Sequence, residues 1–277
     1  MGLEPASQAF ADFERAGWDE VADGYADQSE GSTAQISEPL LDCARVGEGC
    51  RVLDLATGPG WTAAAAARRG ADVIGVDLSA VMLEQARARH SDIDFRHAVA
   101  EELPFDDGSF DVVVSAFGMP HFTDHAAVFR ECHRVLRDGG RVAVASWNPP
   151  PGNQFFAIAL GAIAQAGTLD VDLPAGTDMF AWADDEICDE LFSSTGFGPH
   201  TRDPVEILVT SDDGTASIIE TLENASVRSR ALYLAQTEDD RRAIETKITV
   251  LLAPLETDGS WTISASAFVL SADRLPT

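Results

Sequence analysis

The 277-residue sequence predicts an α/β domain in which a parallel sheet is wound on both faces by helices. Three observations carry this. Short apolar runs alternate with helical stretches from Arg51 to Trp147, a glycine-rich turn follows the first run, and an acid ends the second. That alternation is the pattern of strands buried on both sides, each followed by a crossover helix.

The elements follow in order. Phe10, Phe13, Gly17, Trp18, Val21 and Tyr25 fall on one helical stripe, which predicts an N-terminal helix. Gly31-Ser32 breaks it, and a second helix is expected over Thr33–Arg45 despite Pro39, ending at Gly47-Glu48-Gly49. Residues 1–46 are read together as a helical cap and 47–277 as the core. Strands are expected at 52–56, 72–76, 111–115 and 141–147. Helices are expected over Trp61–Arg69, Ser79–Arg89 and Asp124–Arg137, the last stopped by Asp138-Gly139-Gly140. The prolines 149–151 interrupt this rhythm, and residues from about 150 to 183, with an apolar helix at Phe155–Ala166, read as an inserted lid. Beyond it the pattern predicts helices at 184–194, 214–224 and 238–255, a strand at 200–210 and a final alternating strand at Trp261–Leu270.

Charge and composition exclude several functions. There are 46 acidic and 19 basic residues, a formal net charge of −27, and the basic pairs Arg68-Arg69 and Arg241-Arg242 are too small a footprint for a nucleic-acid backbone. A 45 % hydrophobic content supports a substantial core. The longest uncharged apolar stretch, Phe155–Gly167, is shorter than the roughly 20 residues that span a bilayer, and Glu4, Asp12 and Glu14 do not resemble a secretory leader. Cys43, Cys50, Cys132 and Cys188 form no C-x-x-C pair or metal-finger spacing, so reduced thiols, a cytoplasmic location and no metal are expected. The oligomeric state is not fixed, and a homodimer is compatible with the sequence.

The turn Asp54-Leu55-Ala56-Thr57-Gly58-Pro59-Gly60 opens into a helix, where missing Cβ atoms let a nucleotide-like ligand approach the backbone. Asp77, about 20 residues on, is placed to accept hydrogen bonds from the two hydroxyls of a ribose, although an N-cap role is the plainer alternative. Ser79 is an equally good cap, and both readings can hold.

These two segments, with Gly75-Val76-Asp77-Leu78-Ser79, Leu103-Pro104-Phe105-Asp106-Asp107-Gly108-Ser109-Phe110-Asp111 and Arg134-Val135-Leu136-Arg137-Asp138-Gly139-Gly140-Arg141, resemble the class I S-adenosylmethionine-dependent methyltransferases. The closest subgroup in pattern contains the ubiquinone and menaquinone C-methyltransferases. The resemblance covers roughly residues 50–147 and implies a Rossmann-like seven-stranded sheet whose last strand is antiparallel. It also implies that Ala56, Gly58 and Gly60 line the methionine part of the cofactor, Asp77 holds the ribose, and Leu78 and Met82 cover the adenine. Ala100 and Glu101 would lie at the adenine edge and Ser115 near the methionine. Two positions depart from the family pattern. Ala56 replaces the first loop glycine, and Val99 stands where an acid often binds the adenine amino group, leaving that task to backbone atoms or Glu101.

Methyl transfer needs positioning and water exclusion, with a base only for an acceptor that must lose a proton. His121, after the fourth strand, is the candidate acid/base; a cofactor-pocket or substrate contact and a structural hydrogen bond stay open. His125 reads as a first-turn cap more readily than as a metal ligand with Asp124, His133 as solvated and His97 as structural. Trp18, Tyr25, Phe117, Met119 and Phe155, with Phe122, Phe156, Met179, Phe180 and Trp182, are candidates to receive a moderately hydrophobic small molecule, core packing being the alternative for each. A methyltransferase of small metabolites is the leading expectation. A cofactor-binding cyclase, decarboxylase or binding protein is a second, and a dinucleotide oxidoreductase a third, disfavoured because no G-x-G-x-x-G spacing is present.

Overall fold

A computed structural model describes residues 6–224 and 226–276. In chain order its elements are α1 (Gln8–Glu30), α2 (Ser37–Cys43), β1 (Arg51–Leu55), α3 (Trp61–Arg68), β2 (Asp72–Asp77), α4 (Ala80–Arg89), β3 (Asp94–His97), β4 (Phe110–Ala116) and α5 (His125–Val135). Then come β5 (Leu136–Trp147), α6 (Gln154–Ala166), α7 (Asp185–Ser194), β6 (Thr201–Ser211), α8 (Thr215–Asn224), α9 (Val227–Leu234), α10 (Glu238–Leu252), β7 (Glu256–Thr257) and β8 (Ser260–Asp273).

The sheet runs β3-β2-β1-β4-β5-β8-β6. The first five are mutually parallel and β8 is antiparallel to both β5 and β6. This is the doubly wound sheet with an antiparallel last strand that the sequence predicts. The two-residue β7 is an addition, folding back on the start of β8 through Asp258-Gly259, both at positive φ. Chain order reverses between β1 and β4, so a crevice opens past their carboxyl ends.

Alternation along each strand sends side chains to two cores. Leu53 and Leu55 of β1 and Val113 of β4 join Phe129, Phe192 and Phe197 under α5 and α7. Val52, Val112 and Val114 join Leu40, Ala63 and Leu83 under α2, α3 and α4. A third cluster gathers α6, α8 and α10 around Ile163, Ile218, Ile248 and Trp261, next to the far end of β8.

Several boundaries differ from expectation for identifiable reasons. The expected Thr33–Arg45 helix is a 3-10 turn over Thr33–Ile36 followed by α2, because Pro39 is tolerated only near a helix start. The helix expected to reach Arg137 stops at Val135, since Leu136 already pairs with Phe110. Asp138-Gly139-Gly140 then lies within the irregular beginning of β5, where the register shifts. β3 and α9 were not among the expected elements. His125 is not a cap: Asp124 accepts from Ala127 N at 2.8 Å, while His125 is buried with its Nε2 on Met119 O at 2.6 Å. His133 is half-buried against Phe197 instead of solvated.

Helix α1 lies across the carboxyl edge of the sheet. Ser7 caps it by accepting from Phe10 N, and its buried stripe includes Phe10, Val21, Ala22 and Ala26. Its acidic side is tied to α4 by Asp19 accepting from Ser79 Oγ at 2.6 Å, Asp23 from Gln85, and Asp27 from Arg89 at 2.8 Å. Its other side meets α8 and α9 so closely that a Cβ on Gly17 would stand 2.2 Å from Val227 Cγ1. A Gly17→Val substitution is therefore expected to lower the unfolding free energy by roughly 1–3 kcal/mol through overpacking. Gly31→Ala, with no neighbouring atom within 4 Å, should stay within about 0.5 kcal/mol of the parent in the same denaturant titration.

Candidate functional site

A cavity of about 350 Å³ occupies the crevice. Its floor is the loop after β1, with Ala56 and Gly58, the end of β2, with Asp77 and Leu78, and the segment Ala116–Gly118 after β4. Its roof is α1, contributing Phe10, Glu14, Trp18, Tyr25 and Ser29. Its far wall is largely apolar, with Phe155, Ile207, Val209, Ile218, Leu222 and Trp261 from α6, β6, α8 and β8, and Thr210, Ser217, Glu220 and Thr221 beside them. This size suits a small organic ligand, and such pockets form at the switch point of an open α/β sheet.

The floor is shaped by backbone that few residues adopt. Ala56 and Gly58 have φ of 51° and 52°, and Phe117, opposite them, has φ 63°. A glycine relieves this strain at position 58, where Tyr25 stands only 3.8 Å from the place a Cβ would take. Phe117 is held by stacking on Trp147, ring centroids 3.9 Å apart.

Asp77 joins the two loops. Its Oδ2 accepts from Gly58 N and its Oδ1 from Ser79 N, each at 2.9 Å. Burial raises its pKa above the ordinary aspartate range against the opposing pull of these N–H groups and of nearby His121. A carboxylate has about four acceptor positions, more than these backbone donors fill, and Asp77 also lines the cavity. Ser79 caps α4 by accepting from Met82 N at 3.1 Å, as its sequence position suggests.

His121 ends the 3-10 turn Met119–His121 and faces the cavity. Its Nδ1 donates to Glu14 Oε2 at 2.8 Å, and Trp18 Nε1 donates to the same oxygen at 3.1 Å. Trp18 also packs edge-on against both His121 and Tyr25.

Of the residues selected from sequence, Trp18, Tyr25, Ala56, Gly58, Asp77, Leu78, Met82, Phe117, His121 and Phe155 meet around this one cavity. Gly60, Ala100, Glu101, Ser115 and Met119 stand off its lining, as do Phe180 and Trp182. Gly60 begins α3, with its Cβ position against Phe95 and His90. Ala100 and Met119 are packed in the core under α5. Ser115 is fully buried and spends its hydroxyl on Leu55 O at 2.8 Å. Glu101, expected at the adenine edge, accepts instead from Thr123 N at 2.9 Å and Thr123 Oγ1 at 2.6 Å, bracing the loop before α5. Trp182 is core. Glu14 was not selected, because reading the stripe by its apolar residues passes over the acid that sits four residues from both Phe10 and Trp18. Among the described residues no cluster of His, Cys, Asp or Glu could hold a metal ion, and no helix is long and apolar enough to cross a membrane.

Comparison with known proteins adds to this geometry. Residues 53–144 match the family described as methyltransferase domain. A demethylmenaquinone methyltransferase from Beutenbergia cavernae is 41 % identical over 118 residues, covering 43 % of this chain and 49 % of that protein. The chain spans about half the length of the curated relatives it matches. Among solved structures, the YcgJ protein from Bacillus subtilis aligns with a TM-score of 0.57 at 20 % identity, over 87 % of this chain and 98 % of that one. The [4+2]-cyclase SpnF aligns with a TM-score of 0.58 at 16 % identity, over 100 % and 99 %. At these identities the structures establish the shared fold. The matched segment is thus similar to a methyltransferase domain and to the corresponding part of the demethylmenaquinone methyltransferases.

Beneath the glycine loop, Asp54 is buried, and Thr57 Oγ1 donates to its Oδ2 at 2.6 Å. Burial lifts its pKa from 3.8 to about 7. Because the folded value is the higher one, the folded chain binds a proton that the unfolded chain has released. Stability from this group therefore falls as pH rises from about 4 to about 7. Asp54→Asn should flatten the decline of unfolding free energy across that window, as followed by urea titrations at several pH values.

Proposed function

We propose that this chain is a methyltransferase that binds S-adenosylmethionine on the glycine-loop side of the cavity and methylates a small, fairly hydrophobic metabolite on the other. The observation that carries the reading is Asp77. A buried carboxylate bridges the loops after β1 and β2, has more acceptor positions than its backbone donors fill, and borders the cavity beside Gly58. That is the arrangement a ribose diol needs, with both hydroxyls donating to one carboxylate.

Around it the chain's own residues divide the work. The backbone at Ala56 and Gly58 receives the amino-acid portion of the cofactor, where little side-chain bulk intervenes. Leu78 and Met82 provide the apolar surface for the purine. Trp18, Tyr25 and Phe117 border the space between cofactor and acceptor, where their ring faces attract positive charge. When bound, S-adenosylmethionine supplies an electrophilic methyl group on a sulfonium. The protein holds the two partners in line beneath α1 and keeps water out.

The acceptor side is lined by Phe155, Ile207, Val209, Ile218, Leu222 and Trp261, which supports an apolar molecule. The demethylmenaquinone methyltransferases among the relatives suit a metabolite of that kind, although the match spans the cofactor half of the chain and not the far wall. A nucleic-acid acceptor is disfavoured by the net charge of −27. The free cysteines Cys43, Cys50, Cys132 and Cys188 support a cytoplasmic setting.

Calorimetry with S-adenosylhomocysteine tests the cofactor side. Asp77→Asn is expected to weaken binding about 10- to 100-fold, the loss of one or two charge-assisted hydrogen bonds. Equal affinity in parent and variant would remove the ribose assignment. Transfer of labelled methyl from S-adenosylmethionine to hydrophobic acceptors then tests the reaction itself.

A further inference from the structure

We infer that Glu14, on helix α1, is the positioning residue for His121, and that together they take a proton from a weakly acidic hydroxyl, phenolic or enolic, on an acceptor in the apolar half of the cavity. The inference rests on the proposed function for the acceptor's place, and on the Glu14–His121 geometry for the chemistry.

A carboxylate on the buried stripe of a surface helix is costly unless hydrogen-bonded. Glu14 is 3 % exposed, and the two donors that meet its Oε2 are Trp18 Nε1 and His121 Nδ1. Neither is needed to hold α1 down, since its ties to α4 run through Asp19, Asp23 and Asp27 on another side. The bond has one chemical consequence. With Nδ1–H directed at a carboxylate, the neutral imidazole carries its lone pair on Nε2. That nitrogen has no hydrogen-bond partner among the described residues, and the His121 side chain, 22 % exposed, borders the cavity.

The charge matters as well as the orientation. Two acidic groups face His121: Glu14 from α1, and Asp77 from the end of β2, whose carboxylate interacts with it electrostatically. The step is a single transfer. The hydroxyl proton moves to Nε2, the acceptor oxygen keeps the electron pair as an oxyanion, and the imidazolium Nδ1–H remains bonded to Glu14. An amine acceptor is already nucleophilic when neutral and does not need this arrangement, whereas a hydroxyl gains its nucleophilicity by losing a proton. The aromatic and aliphatic far wall suits the ring that makes such a hydroxyl acidic.

The test uses the full chain and 4-nitrophenol, which titrates near neutrality in water and shows its anion in visible absorbance, so no methyl transfer is needed. Bound to the parent protein, the probe should ionise about one pH unit below its midpoint in buffer. His121→Gln should abolish the shift. Glu14→Gln, which can keep an oxygen for both donors but loses the charge, should at least halve it. Glu20→Gln, an exposed acid elsewhere on α1, should leave it intact. Circular dichroism melting of each variant separates misfolding from loss of the shift, and Glu14→Asp, which retains the charge, should preserve part of it even if Glu14→Gln is destabilised. Failure of the parent to bind the probe saturably at millimolar concentration, or an equal shift in parent and Glu14→Gln, overturns the inference. Calorimetry with S-adenosylhomocysteine is scored separately. Loss of nucleoside binding in the parent would refute the proposed function while leaving the nitrophenol result to stand or fall alone.

Discussion

The bridge from Asp77 to the amides of Gly58 and Ser79 is the constraint on which the rest of the site depends. It fastens the turn after β1 to the turn after β2, beside the parallel pairing of their strands and the bond from Thr57 N to Val76 O. With that turn fixed, Ala56 and Gly58 keep their left-handed backbone. Phe117 is then brought against the same floor from β4, since Ala56 Cβ stands only 3.0 Å from where a Cβ on Gly118 would be. Three strand ends thus become one surface. The cost is a carboxylate in a place where burial disfavours its charge, and a ligand that donates hydrogen bonds to it offsets that cost.

The same economy recurs around the cavity. Asp54 and Asp77 are buried acids with raised pKa values, and Glu14 is buried in the roof. Structural carboxylates elsewhere in the chain lie at the surface and pair with arginines, as in Arg69 with Glu38 and Arg202 with Asp185. Concentrating buried acids without an arginine partner at the crevice sacrifices stability there. This is the usual relation between a preorganised site and the fold that carries it. The fold alone leaves the chemistry open, as its sharing with a cyclase over the whole chain demonstrates. Residues such as Asp77 and His121 must decide it.

How much of this was legible in the sequence follows the physical origin of each feature. The strands β1, β2 and β4 are apolar on both faces and could be found by run length alone. β3, Asp94-Phe95-Arg96-His97, has one buried side chain and sits at the sheet edge, so neither run length nor alternation marks it. Asp77 was legible because local spacing from the glycine turn determines its place. Ser115 and Glu101 are assigned to the ligand by resemblance, yet both side chains are spent on partners that approach only in three dimensions, Leu55 O at the end of β1 and Thr123 in the loop before α5. Glu14 was illegible for the converse reason. Its partner His121 is 107 residues away, and nothing within α1 distinguishes an acid that fills the stripe from one that faces solvent.

That distance joins the roof to the chemistry. Along α1, Asp19, Asp23 and Asp27 recur every four residues and tie one side of the helix to α4, while Glu14, Trp18 and Tyr25 present another side to the cavity. Those polar ties contribute only about 0–1 kcal/mol each, and the buried stripe of Phe10, Val21, Ala22 and Ala26, with Gly17 packed on Val227, does most to seat the helix. The face it carries is the one that borders the cavity and meets His121. The roof of the cavity and the Glu14–His121 pair therefore depend on the same rigid element, since α1 carries both the carboxylate that meets the imidazole and the side chains that cover the crevice. The direction in which His121 presents its Nε2 is in this way a property of where one acidic residue sits on one helix.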